Sequence, residues 1–114
     1  MVAINFRKEF AEKVRSGKKR QTIREKCRAF SGCKLQLYYG QRTKLCRKLK
    51  DAVCKSVCSI TITSLHIYTS RDGYITNEDS FARKDGFKDF PEMWKFFEPR
   101  AKDDGAFHGW LIEW

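Results

Sequence analysis

Gly17-Lys18-Lys19-Arg20-Gln21-Thr22-Ile23-Arg24 carries four cations in eight residues, with a glycine in front and a threonine between the last two cations. Its flanks make it a junction rather than a solvated charge run. Upstream, Phe6, Phe10, Ala11 and Val14 recur at helical spacing, while Arg7, Lys8, Glu9, Glu12, Lys13 and Arg15 fill the rest of the wheel. Ser16-Gly17 ends that helix, because glycine takes the left-handed conformation after a helix C-terminus without a Cβ clash. Downstream, Gln21-Thr22-Ile23-Arg24-Glu25 reads as a strand, with Thr22 and Arg24 on one face and Ile23 on the other. Lys19 stands three residues before Thr22, the wrong parity for a shared strand face. It joins Thr22 only where the chain curls through residues 17–20, a turn that Gly17 permits. Such a junction aims several cationic groups and one hydroxyl into a single pocket.

Working outward, residues 3–6 are a short apolar strand, and Lys34 to Tyr39 alternates as a second. Gln41 to Lys50 is a basic run that reads as an exposed hairpin or loop. Ala52 to Tyr68 is rich in β-branched residues. Seventeen residues is long for one strand, so a bend near Ser56 to Ser59, or two strands, is expected there. Asn77 caps a short helix from Glu78 to Lys84 that stops at Gly86, and Asp89 caps another from near Pro91 to Phe97. Ala106 to Trp114 is a closing strand. Phe87, Phe90, Trp94, Phe97 and Phe107 are too dense to be all surface and are assigned to the core. No crossover helices separate the strands at 21–25, 34–39 and 52–68, which disfavours a parallel α/β sheet. The expected fold is α+β, with residues 1–114 forming one domain: a small, strongly bent sheet or barrel decorated by about three short helices.

Charge is concentrated rather than interspersed. Residues 1–50 hold sixteen Lys/Arg against three acids, and residues 51–114 hold eight against eleven. A basic half on a folded domain implies a polyanionic partner, most often nucleic acid. The five cysteines are odd in number, irregularly spaced and lack a paired C-x-x-C set. They read as reduced, small apolar core residues of a cytoplasmic protein, with no metal and no cofactor. Met1 to Phe6 is too short and polar for an export core, and nothing approaches a membrane span. His66 and His108 stand isolated and are assigned no role.

Gly17-x-Lys19-x-x-x-x-Arg24 matches the G-x-K-x-x-x-x-R motif of the ASCH domain family. Leu35-Gln36-Leu37-Tyr38, then Phe81-Ala82-Arg83-Lys84-Asp85-Gly86-Phe87, then the Trp/Phe helix and Gly109 to Trp114 also resemble that family, in order and over nearly the full length. The resemblance implies a PUA-like β-barrel (the pseudouridine-synthase and archaeosine-transglycosylase fold) with a cleft lined by the motif, and binding of RNA or nucleotides. One branch of small bacterial members, similar in size, comprises amidohydrolases that deacetylate N4-acetylcytidine with a lysine, a threonine three positions on, and a downstream glutamate. Those positions fall here on Lys19, Thr22 and Asp85. The last is a departure, one methylene shorter than glutamate. Arg24, Tyr39 and Arg42 are then the substrate-binding candidates.

The residues suit such chemistry. A threonine hydroxyl needs a base, and a lysine serves as one only when burial or neighbouring cations lower its pKa. Lys18 and Arg20 supply such a field, and Arg24 orients substrate or stabilises an oxyanion. Two other functions fit the same stretch. A non-catalytic RNA-binding module would use Lys18, Arg20, Lys44, Arg47 and Lys48 against phosphates, with Tyr38, Tyr39 and Trp110 stacking on bases. A ribonuclease is the third. In the absence of a pocket, Lys18 to Arg20 is solvated charge, Thr22 an ordinary strand residue, and Asp85 a structural ion-pair partner.

Overall fold

The chain opens with strand β1 (Val2–Phe6) and helix α1 (Lys8–Arg15) in a computed structural model that describes residues 1–114. Phe10, Ala11 and Val14 form the buried stripe of α1. Gly17 follows at φ 84°; its N–H reaches the Val14 carbonyl, and the Lys19 N–H returns to that of Lys13 at 2.9 Å. This is the curl that the wrong parity of Lys19 requires. Strand β2 (Gln21–Arg24) begins two residues later.

Strand β3 (Lys34–Tyr39) follows, then β4 (Arg47–Val53), β5 (Ser56–Ile62), β6 (Ile67–Thr69) and the two-residue β7 (Gly73–Tyr74). Helices α2 (Glu78–Lys84) and α3 (Phe90–Phe97) are capped by Asn77 and Asp89, whose side chains accept from Ser80 N–H and Glu92 N–H. A 3-10 turn at Glu98–Arg100 precedes the last strand, β8 (Phe107–Glu113).

The basic run 41–50 is the hairpin alternative rather than a loop: it turns after β3 and returns as β4, antiparallel to β3, with Arg47, Lys48 and Lys50 on the strand and Leu49 buried. A single fully buried residue gives that strand too little alternation to be read in advance. The long region 52–68 does divide, but at Cys54-Lys55 rather than near Ser56 to Ser59. Cys54 N–H donates to Cys33 O at 2.9 Å, and Lys55 N–H to Glu113 O at 2.7 Å. Adjacent residues thus bond in different directions, Cys54 to the residue before β3 and Lys55 to β8, as the chain leaves one sheet for the other.

That switch explains why the expected barrel does not form. Strands β1-β3-β4 make a three-stranded sheet, with β1 parallel to β3, and β2-β8-β5-β6-β7 make an antiparallel five-stranded one. Neither sheet closes, and no ladder joins them. The PUA-like barrel expectation is therefore overturned in favour of a mixed α+β fold of two sheets. At the seam between the unpaired edges of β1 and β2 the bridge is a side chain: Arg24 Nη2 donates to Asn5 O at 2.6 Å. One core cluster spans both sheets, and the chain of aromatic contacts Phe10–Phe87–Phe97–Phe107, the first two edge-on and the last tilted, ties α1 and α3 to β8. Of the aromatics assigned to the core, Phe87, Phe97 and Phe107 are fully buried, whereas Phe90 and Trp94 pack only partly against it. Cys33, Cys54 and Cys58 are buried, Cys27 half-buried and Cys46 exposed, all unpaired. No helix is long and apolar enough to cross a membrane.

Candidate functional site

Helix α2 ends in a paired cap that delivers Asp85. Gly86, at φ 98°, donates to Arg83 O at 3.0 Å, and Phe87 N–H donates to Ala82 O at 2.9 Å. These are the two bonds of a Schellman motif. They fix the backbone of Asp85 as the residue on which the helix stops. A Cβ on Gly86 would lie 2.9 Å from Phe10 Cδ1 and 3.2 Å from Lys19 Cδ, so the turn sits hard against α1 and the lysine.

Lys19 arrives from the other side. Its Nζ lies 3.3 Å from Asp85 Oδ1 and also donates to the Asp85 carbonyl. Gln21 Nε2 donates to the same Oδ1 at 3.3 Å. Lys13 Nζ caps the neighbouring Gly86 carbonyl at 2.8 Å. Two lysines thus meet the electronegative end of α2, the favourable placement for cations. Lys19 is 2 % exposed and Asp85 3 %. The shortened acid loses no reach, because the cap brings its backbone close to the lysine.

Thr22 and Arg24 share a face of β2, as the alternation predicts. Arg24 Nε donates to Thr22 Oγ1 at 3.2 Å, leaving the hydroxyl hydrogen free to be given away. Thr22 is buried, and so is Ile23 on the opposite face. Lys19, Thr22, Arg24 and Asp85 all line one cavity of about 80 Å³, with Phe6, Phe10 and Phe87. The Lys19 ammonium lies 4.8 Å from the Phe10 ring centre and 5.9 Å from that of Phe6.

Burial dominates the electrostatics. It pushes the Lys19 ammonium below its ordinary pKa, opposed by Asp85 and assisted by Arg24 and Lys13. It pushes the Asp85 carboxyl above its ordinary value, opposed by Lys19, Gln21 and Arg24. Burial thus works against the charge on both groups, while their 3.3 Å contact works for it. Arg24 is lowered by burial, raised by Asp85 and lowered again by Arg100, yet an arginine stays protonated. The site therefore holds a lysine whose pKa burial lowers, a hydroxyl held by a cationic donor, and a fixed guanidinium.

The other sequence candidates are dispersed. Arg42, whose own φ is 65°, lines a second cavity of about 370 Å³ at the β1–β2 seam, with Lys26 and Arg28; Arg24 and Asn5 are common to both cavities. Tyr39 lines neither and packs partly against the core. Lys18 and Arg20 border a separate hollow with Lys55 and Lys84, on the far side of Gln21. Lys44 is exposed in the turn before β4. Lys48 is paired with Asp51 at 2.7 Å, and Arg47 is exposed at the start of β4. β4 is an edge strand, where charged side chains discourage edge-to-edge pairing, so these cations have a structural use.

Three lining residues were missed: Asn5, Arg7 and Arg100. Arg7 read as part of the polar side of the first helix, and Arg100 drew no reading. No local pattern announces them, because only tertiary packing brings them together. Asn5 joins the parts: its carbonyl accepts from Arg24, and its Oδ1 accepts from Gln41 N–H at 2.9 Å. Comparison with protein-family profiles, characterised proteins and solved structures returned no match.

Proposed function

We propose that the cavity is the active site of an ASCH-type amidohydrolase that deacetylates an N4-acetylcytidine-type nucleoside. The observation that carries this reading is the meeting of Lys19, Thr22, Arg24 and Asp85 in one cavity, with the Lys19 pKa lowered by burial and Thr22 bonded to Arg24. At about 80 Å³ the cavity is well below the roughly 300 Å³ at which whole-ligand pockets begin. It admits the acetamido end of a substrate and leaves base and ribose at the mouth.

Lys19 takes the Thr22 hydroxyl proton as Oγ1 attacks the amide carbonyl, giving a tetrahedral intermediate. Arg24, already donating to Oγ1, stabilises the negative charge that develops on oxygen. Collapse breaks the C–N bond, and the proton on Lys19 passes to the departing N4. Water then attacks the acetyl–threonine ester as Lys19 removes its proton; the ester bond to Oγ1 breaks, Lys19 returns that proton to Oγ1, and acetate leaves. Asp85 holds the lysine in place through its carboxylate and its carbonyl.

Incubation of the purified protein with N4-acetylcytidine, followed by chromatography for cytidine and acetate, tests this. Turnover is expected. Its absence in folded protein removes the hydrolase reading. A binding-only role as an RNA module is favoured by one observation, that Lys19 and Asp85 already satisfy each other. It predicts salt-sensitive RNA binding with no cytidine released.

A further inference from the structure

Three arginines stand at the mouth of the cavity, each at the end of a different element. Arg7 lies between β1 and α1, Arg24 ends β2, and Arg100 ends the 3-10 turn after α3. The guanidinium carbons of Arg7 and Arg100 lie 4.6 Å and 5.4 Å from the centre of one ring, that of Phe96. Arg24 lies 5.1 Å from the centre of Phe6. An arginine held against a ring face has its planar donor fork pre-organised; Arg24 already donates Nε to Thr22 and Nη2 to the Asn5 carbonyl, which leaves Arg7 and Arg100 the freer forks.

These charges are scarcely neutralised. No carboxylate lies within ion-pair distance of Arg7 or Arg24, and Arg100 has only Glu25, at 3.8 Å between two partly exposed side chains. Asp85, the one acid of the lining, is already engaged by Lys19 and Gln21. Folding has therefore gathered like charges at one opening without a counter-charge. A solvated charge run does not explain this, because the residues are far apart in sequence and converge on two aromatic rings.

We infer that Arg7, Arg24 and Arg100 form an anion subsite for a phosphate ester of the bound nucleoside, so that the ligand is a nucleotide rather than a free nucleoside. The inference rests on the reading of the cavity as a nucleoside site, and it assigns the mouth, where that reading places the ribose. Planar guanidinium forks match phosphate oxygens in pairs, and a cleft lined by one sign of charge concentrates an anion of the other. The phosphate is either a terminal monoester or a diester within a strand. Arg7 and Arg100 are the specific members, because Arg24 also serves Thr22.

The test is calorimetric binding of cytidine, cytidine 5′-monophosphate and a short oligocytidylate to the full chain, each at low and raised salt. The monophosphate or the oligomer is expected to bind at least ~10-fold more tightly than cytidine, with the gain eroding as salt rises. Arg7→Gln/Arg100→Gln is expected to bring that ratio close to one, and Arg7→Lys/Arg100→Lys to retain part of it. A gain for the monophosphate identifies a terminal phosphate, and a gain for the oligomer alone identifies a diester. Equal binding of all three ligands overturns the subsite, as does an undiminished gain in a double-Gln variant whose circular dichroism is native. Because these ligands carry no acetyl group, a phosphate gain without any deacetylation sustains the subsite and fails the hydrolase. Deacetylation with no phosphate gain does the reverse.

Discussion

Replacing Lys19 by methionine keeps most of the side-chain volume and removes one ammonium. Asp85 then loses its contact at 3.3 Å and the cap on its own carbonyl, while remaining buried. In the native protein Lys19 is the largest influence holding the Asp85 pKa down against burial. Without it the folded-state pKa climbs further, whereas the unfolded chain titrates near the usual ~3.9. A carboxyl raised in the folded state keeps its proton where the unfolded chain has released it. Stability is then fully present below the unfolded pKa and is lost as pH rises toward the folded one, at up to about 1.4 kcal/mol per pH unit. Near pH 4 the variant should lose only the hydrogen bonds, about 1 kcal/mol. Near pH 7 the buried carboxylate has no cation beside it, and the cost should rise to about 3–5 kcal/mol, the range for breaking a buried ion pair. Asp85→Asn reverses the sign. The stranded lysine favours its neutral form, so stability is lost as pH falls from its unfolded value near ~10.4 through the lowered folded one. Urea unfolding of wild type and both variants across this pH range measures the effect. A Lys19→Met cost below about 1 kcal/mol at neutral pH, or one that does not change between pH 4 and pH 7, would refute the buried-pair reasoning.

Thr22→Val removes the hydroxyl and keeps the shape. It should abolish release of cytidine from N4-acetylcytidine while costing about 1 kcal/mol, the loss of one partner for Arg24, as read by activity assay and thermal unfolding in parallel. Gly86→Ala should cost about 2–4 kcal/mol by urea unfolding, combining a left-handed backbone with overlap on Phe10. Arg47→Gln, on the exposed start of β4, should leave stability within about 0.5 kcal/mol by the same measurement.

Elements with a complete local signature were legible in the sequence. Asn77 and Asp89 cap the helices assigned to them, Gly17 turns the chain where a helix had to stop, and Thr22 shares a face with Arg24. Sheet partnership was not legible. Whether a run of strands closes into a barrel depends on hydrogen bonds between distant edges, and here Cys54 and Lys55 bond in different directions, to the residue before β3 and to β8. The same limit governs the site. Lys19 and Thr22 lie within one motif and were found by it, while Arg7 and Arg100 are placed only by the packing of Phe96. The basic run 41–50 was legible as a hairpin or loop without a choice between them, because a charged edge strand and a basic loop share a composition.

The central position of β8 has a kinetic consequence. Thr22 is in register with Ile112, and Arg24 with Trp110, so β2 gains its only strand partner from a segment roughly ninety residues away. Closing a loop of that length costs about 4 kcal/mol in chain entropy. Contacts so distant are slow to form. The three-stranded sheet draws only on residues before Cys54 and has no such requirement. Thr22 and Arg24 should therefore be the last cavity-lining residues to reach their places. Refolding followed by β2 amide protection should lag behind that of β3, and catalytic competence should return with the slower phase.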